Sequence, residues 1–161
     1  HGSAGTFDVD VFVPNAVECR NNGPTTVVVT FNQNVMPATG ETSDVWVSSG
    51  MVNTLTFDSG PQLTIQMAGA MDVAYLIIGF PGILGLNGIP TDQTLCFGVM
   101  RGDVSGDKKV NVIDLNIKNS INTPTTPSTF RLDVNADGKI NVLDLTAAKS
   151  NMNKVIAGSC P

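Results

Sequence analysis

The 161-residue sequence predicts two domains, an all-β sandwich followed by a small all-α domain made of two loop-helix units. Short segments with alternating apolar and polar residues occupy residues 1–98, whereas residues 99–161 contain a tandem repeat. The charge changes at the same place. Residues 1–98 hold one basic and eight acidic residues, and residues 99–161 hold eight basic and six acidic residues. We therefore predict one domain over residues 1–98 and a second over residues 99–161.

The amino-terminal part has the period-two pattern of β-strands. Two segments show it best, with one face formed by Val27, Val29 and Phe31 and another by Leu63, Ile65 and Met67. Segments rich in Gly, Pro and Asn separate the strands and predict turns. About seven such strands in about ninety residues favour an immunoglobulin-like β-sandwich. The stretch VVVTFNQNVMPATG, residues 27–40, also resembles the start of bacterial surface Ig-like domains.

Two aromatic residues of this part, Trp46 and Tyr75, lie within strand patterns. Aromatic side chains in such patterns usually fill the core, so we predict that both pack inside the sandwich. The alternative is that an exposed Trp46 stacks on a sugar ring, which would make the sandwich a carbohydrate-binding module with polysaccharide as its ligand.

The repeat consists of two acidic twelve-residue loops, DVSGDKKVNVID at 103–114 and DVNADGKINVLD at 133–144, which share seven identical positions. Both carry oxygen-bearing side chains at positions 1, 3, 5, 9 and 12. Calcium takes six to eight oxygen ligands at about 2.4 Å, so this spacing predicts two Ca²⁺ sites. The predicted ligands, with the position 7 residue contributing its backbone carbonyl, are Asp103, Ser105, Asp107, Lys109, Asn111 and Asp114, and Asp133, Asn135, Asp137, Lys139, Asn141 and Asp144.

Two further positions of the loops carry structural expectations. Position 6 requires a sharp turn, which Gly138 satisfies and Lys108 does not. A non-glycine residue in a left-handed conformation costs about 1 kcal/mol, so we expect loop 1 to be the weaker site. At position 8, Val110 and Ile140 are expected to pair through their backbones and join the two loops.

A short helix is predicted after each loop, at residues 112–122 and 142–153. No strong amphipathic helix precedes either loop, and position 12 is Asp where an EF-hand loop has Glu. Each unit is therefore a loop followed by one helix. With the duplication, residues 102–156 resemble a type I dockerin, a module that docks secreted proteins onto cohesin domains.

This resemblance implies a calcium-dependent protein-interaction module with a cohesin-like partner, in a secreted or cell-surface protein of a bacterial polysaccharide-degrading system. It places partner contacts at positions 10, 11, 17 and 18 of each repeat, which are Val112, Ile113, Asn119 and Ser120, and Val142, Leu143, Lys149 and Ser150. The near-symmetry of the helices would allow two binding orientations. In the alternative, the apolar residues at positions 10 and 11 pack on the chain's own sandwich, and the calcium module is only a structural cap.

Three cysteines permit at most one internal disulfide. Cys19 with Cys96 is the first choice, because these residues flank the predicted first and last strands. Cys96 with Cys160 is the alternative, because a dockerin brings its ends together.

Several function classes have no support in the sequence. One histidine, in a His1-Gly2-Ser3 start that is typical of a tag remnant or a cut fragment, permits no Ser/His/Asp or Cys/His set, so we do not predict an enzyme. The basic half lacks interleaved aromatic residues, which argues against nucleic-acid binding. The most apolar stretch, residues 73–86, is too short and too rich in Gly and Pro to insert into a membrane.

Overall fold

The computed structural model describes residues 1–13, 16–58, 60–91 and 93–161. They divide into two compact units. The carboxy-terminal unit consists of His1–Gly23, Met71–Tyr75 and Phe97–Pro161, and the central unit consists of Pro24–Ala70 and Leu76–Cys96. The unit that holds both acidic loops thus also contains two earlier stretches of chain. The boundary after residue 98 stays a prediction.

The described residues contain nine strands and one α-helix. The strands are β1 (Val17–Glu18), β2 (Thr26–Thr30), β3 (Val35–Pro37), β4 (Trp46–Val47), β5 (Met51–Phe57), β6 (Gln62–Ala68), β7 (Ala74–Gly79), β8 (Ile83–Gly85) and β9 (Thr94–Val99). The α-helix is α1 (Val142–Lys149). Four short 3₁₀ helices cover Gly2–Ala4, Thr42–Asp44, Asp114–Ser120 and Phe130–Leu132. None of the helices in these residues has the length and apolar character of a membrane-spanning segment.

In the central unit, β6 lies between β2 and β5 in an antiparallel sheet. Cross-strand partners such as Val29 with Leu63 and Val27 with Ile65 set its register. Residues 27 and 29 of β2 and residues 63, 65 and 67 of β6 are buried, as the period-two pattern predicts. Two further antiparallel pairs lie in this unit, β3 with β8 and β4 with β7.

Asp44 is the buried carboxylate of the central unit. Burial raises its pKa, but this effect is outweighed by hydrogen bonds from the Thr39 and Gly40 backbone amides and the Thr39 hydroxyl, so the pKa is lowered overall. Gly82 lies against this carboxylate, and a Cβ at Gly82 would come within 2.2 Å of Asp44 Oδ1. The ionised side chain therefore ties together the loop that precedes β4.

The carboxy-terminal unit has a parallel pairing of β1 with β9, in which Val17 lies opposite Gly98. Its apolar side chains form two clusters. One contains Val17, Met100, Val110 and Ile156, and the other contains Ile117, Val134, Ile140 and Ala148. The second cluster lies between the two repeats, because it joins the 3₁₀ helix after loop 1 to α1 after loop 2.

The prediction of an all-α carboxy-terminal domain is wrong. Both post-loop helices are shorter than predicted, and the first is the 3₁₀ helix Asp114–Ser120. Its interior, LNIKN, contains Asn and β-branched Ile, which favour α-helix less than the LTAAK of α1. Both helices end before a left-handed asparagine, Asn122 at φ 70° and Asn153 at φ 67°.

The predicted disulfide between Cys19 and Cys96 is also wrong. Cys19 is a free, buried thiol, whereas Cys96 and Cys160 are disulfide-bonded. The register of β1 on β9 places Cys19 level with Met100, four residues beyond Cys96. Four strand residues span about 13 Å, and a disulfide needs Cα atoms within about 7 Å. Burial raises the pKa of the Cys19 thiol to about 12, so it is not a reactive thiolate.

Trp46 does not pack in the core as predicted. Its side chain on β4 is 53% exposed, with the ring edge 3.5 Å from the position that a Cβ at Gly79 would occupy. Tyr75 is half-buried and packs in the carboxy-terminal unit and not in the sandwich, where it lies against the cluster that contains Val110 and donates to the Gly158 carbonyl at 3.4 Å.

Candidate metal centre and docking face

Loop 1 brings three carboxylates together. Ligand oxygens of Asp103, Asp107 and Asp114 all lie within 4.8 Å of one another. Two oxygens that each lie about 2.4 Å from a shared Ca²⁺ can be at most about 4.8 Å apart, so this spacing fits one calcium ion. Positions 1 and 12 are buried and position 5 is exposed. The site is therefore open to solvent on the side of the position 5 carboxylate.

The two loops fold alike, because the same hydrogen bonds recur thirty residues apart. The position 12 carboxylate accepts from the position 3 amide at 3.0 Å and from the position 9 amide at 2.8 Å in both loops. The position 1 carboxylate accepts from the position 5 amide at 3.1 Å in both. The position 9 side chain, Asn111 or Asn141, accepts from the backbone amide two residues on in both loops, but only Asn141 is the N-cap of its helix. The sequence repeat is therefore a repeat of backbone geometry.

Loop 2 differs in what surrounds its position 1 carboxylate. Asp133 Oδ2 lies 2.8 Å from His1 Nδ1 and accepts from the Thr125 hydroxyl at 3.3 Å. Thr125 is buried. The side-chain amide of Asn135 donates to Asp137 Oδ2 at 3.1 Å. Among the described residues, the set of three carboxylates within 4.8 Å occurs in loop 1.

The buried carboxylates favour a cation. Burial raises the pKa of Asp103, and the nearby Asp114 raises it further against the hydrogen bonds from Lys108 and Gly106. Burial likewise raises the pKa of Asp144, and Asp133 and Asp137 add to the effect. A divalent cation would supply positive charge to these carboxylates.

Left-handed backbone occurs at positions 4 and 6 of both loops. Loop 1 has Gly106 at φ 77° and Lys108 at φ 67°, and loop 2 has Ala136 at φ 58° and Gly138 at φ 91°. Each loop therefore contains one glycine and one strained residue, with a cost of about 1–2 kcal/mol each. The strain that we assigned to Lys108 has a counterpart in loop 2, so strain does not make loop 1 the weaker site.

The expected pairing of Val110 with Ile140 is wrong. Both residues are buried, but each pairs with the segment after the other repeat's helix. Val110 accepts from the Asn153 amide at 2.8 Å, and Ile140 accepts from the Asn122 amide at 2.9 Å. The segment after each helix thus pairs with position 8 of the other repeat. The left-handed asparagines, Asn122 and Asn153, are the residues that make these hydrogen bonds.

The residues at positions 10 and 11 are exposed in both repeats. The exposed fractions are 71% for Val112, 54% for Ile113, 60% for Val142 and 59% for Leu143. Asn119, Lys149 and Ser150 are exposed and Ser120 is half-buried. These eight residues, which we call the docking face, lie within or directly beside the 3₁₀ helix Asp114–Ser120 and α1. Exposed aliphatic pairs of this kind are typical of interaction surfaces.

Sequence reasoning missed the polar residues that hold the loops from outside. Arg131 donates to the backbone carbonyls of Val104, Val17 and Asp103 at 2.9–3.0 Å. The buried Asn151 donates to Asp72 at 2.7 Å and to the Arg101 carbonyl at 3.0 Å. Arg101 and Arg131 are thirty residues apart and precede position 1 by two residues, so the repeat spacing could have identified both.

Comparison with known proteins agrees with this geometry. Residues 101–153 match the family model of the dockerin type I domain. No curated protein and no solved structure matches the chain. Dockerin domains are non-catalytic modules that bind calcium and cohesin domains, and they occur in secreted components of cellulosome-like systems.

Proposed function

We propose that the chain binds two calcium ions and docks onto a cohesin domain through residues 101–153, which match the family model of the dockerin type I domain. The ions would be held by the predicted ligands of the two loops, positions 1, 3, 5, 7, 9 and 12 of each. When bound, they supply positive charge to the buried carboxylates and fix the start of each helix. The role is non-catalytic and would be performed by a secreted or cell-surface bacterial protein.

Exposure of the docking face carries this proposal. The alternative of a structural cap requires Val112, Ile113, Val142 and Leu143 to be covered by the chain itself, and all four are exposed. Leaving such side chains in water forgoes about 1.5–3 kcal/mol for each. A partner that covers them recovers that free energy, which gives the exposed aliphatic pairs a function.

A binding experiment with matched variants tests the proposal. Recombinant type I cohesin domains are immobilised as a panel, and binding of the chain is measured with excess calcium and with chelator. We expect at least one cohesin domain to bind in calcium and to release the chain in chelator. Leu143→Asp should abolish binding, whereas Met51→Asp, an equally exposed apolar position in the central unit, should leave it unchanged. Equal loss in both variants, or no binding in calcium, would contradict the proposal.

A second candidate function rests on Trp46. Its 53% exposure favours the alternative in which the β-sandwich binds carbohydrate, because an exposed indole ring can stack on the apolar face of a sugar. We propose a polysaccharide ligand for this surface as an addition to the docking role. Binding on a glycan array that is retained in chelator and lost in Trp46→Ala would support it. An array without signal for the unaltered chain would exclude it.

A further inference from the structure

The outer faces of the two repeats differ in helix type. The first is a 3₁₀ helix, in which residues three apart align, and the Asn119 side chain donates to Asn116 at 3.4 Å. The second is an α-helix, in which residues four apart align, and the Thr146 hydroxyl donates to the Val142 carbonyl at 2.9 Å. The same sequence positions therefore point in different directions on the two faces.

The positions of the lysine residues also differ between the two faces. Position 17 is Lys149 on the second face and Asn119 on the first, and both are exposed. Position 16 is the buried Ala148 on the second face and the exposed Lys118 on the first. If the molecule is rotated by a half-turn so that the two repeats exchange places, Lys118 does not fall on the position of Lys149. The positive charges of the two faces therefore do not superpose.

Arg101 adds a second cation to the second face only. Its Nη2 donates to the Ser150 hydroxyl at 2.8 Å, and its Nη1 donates to Asn21 at 3.2 Å. Asp72 Oδ1 accepts a hydrogen bond from the Arg101 backbone amide at 2.8 Å, and Asp72 Oδ2 lies 4.0 Å from Arg101 Nη2. Arg131, the equivalent residue of the other repeat, uses all three side-chain nitrogens on backbone carbonyls.

We infer that the partner binds in a single orientation, with an acidic protein surface placed against Lys149 and Arg101 at the carboxyl end of α1. This inference rests on the proposed function and specifies it. The near-identical loops predict two interchangeable orientations, but the side chains that a partner would touch are not interchangeable. The second face combines an exposed aliphatic pair with Lys149 and with Arg101, which donates to Ser150, whereas Arg131 is engaged with backbone carbonyls, so an acidic partner gains more charge complementarity in one orientation.

Matched charge reversals on the two faces test the inference. The probe is the recombinant cohesin domain of the panel that binds the unaltered chain in calcium. Lys149→Glu should weaken its binding at least tenfold, and Lys118→Glu, the same change on the first face, should weaken it less than twofold. Arg101→Gln should weaken binding about fivefold, with calcium affinity within twofold of the unaltered chain. Raising the salt concentration should reduce the difference between the two lysine variants.

Two interchangeable orientations would give a different pattern. Each single lysine variant would then lose no more than about half of its binding, since one orientation would remain, and only the double variant would lose it all. That pattern would overturn the inference and leave the proposed function intact. If no cohesin domain binds the unaltered chain, the proposed function and this inference both fail.

Discussion

Gly102 tests whether α1 packs on the start of loop 1. It is buried, has a φ of +87° and precedes the first predicted calcium ligand. A Cβ at this position would lie 2.4 Å from Ala148 Cα and 2.9 Å from Ala148 Cβ. The left-handed backbone costs an alanine about 1 kcal/mol, and the overlap with α1 adds about 1–3 kcal/mol. We expect Gly102→Ala to lower the free energy of unfolding by about 2–4 kcal/mol.

Gly106 provides the control for this substitution. It has a similar φ of +77°, but a Cβ there would meet only Arg131 Nη2, at 3.5 Å. Gly106→Ala should therefore lose only the backbone term of about 1 kcal/mol. Urea unfolding of both variants at saturating calcium measures the difference. If the two variants agree within about 0.5 kcal/mol, α1 does not pack against residue 102 and the reasoning is wrong.

Three further predictions concern the buried polar groups. Because folding lowers the pKa of Asp44, its stabilisation is present above the ordinary value of 3.8 and is lost as pH falls through the folded pKa. The difference in urea midpoint between the unaltered chain and Asp44→Asn should shrink below about pH 4; a constant difference would contradict this. Thr125→Val removes a hydrogen bond to Asp133. Calorimetry should show that the calcium affinity of one of the two sites falls about tenfold, and equal weakening of both sites would contradict a local role. Asp72→Ala removes a partner of the buried Asn151 and should lower the free energy of unfolding by about 1–3 kcal/mol, and an unchanged urea midpoint would show that the contact is not stabilising.

The loops are the part that the sequence predicted best. Spacing of oxygen-bearing residues determines which backbone amides a position 1 or position 12 carboxylate can reach, so Asp103 and Asp133 acquire the same partners. Alternation in β2 and β6 likewise predicted their buried faces, because a strand has only two sides. Both are local patterns in which the sequence separation sets the geometry.

The errors came from non-local packing. Helix type after loop 1 depends on how Ile117 and its neighbours pack between the repeats, and composition indicates this only weakly. Exposure of Trp46 depends on its position opposite Gly79 on a neighbouring strand. Cysteine pairing depends on a parallel register between strands about eighty residues apart, which spacing does not determine. Residues 71–75 join the carboxy-terminal unit through Asp72, and no local pattern predicts that contact.

A calcium titration by isothermal calorimetry tests the central claim most directly. The account predicts that the unaltered chain binds two calcium ions, and that Asp103→Ala and Asp133→Ala each bind one. Calcium affinity should also fall as the pH is lowered, because protons compete with calcium for Asp103 and Asp144, whose pKa values are raised by burial. A chain that binds no calcium, or whose two variants bind as much calcium as the unaltered protein, would contradict the account.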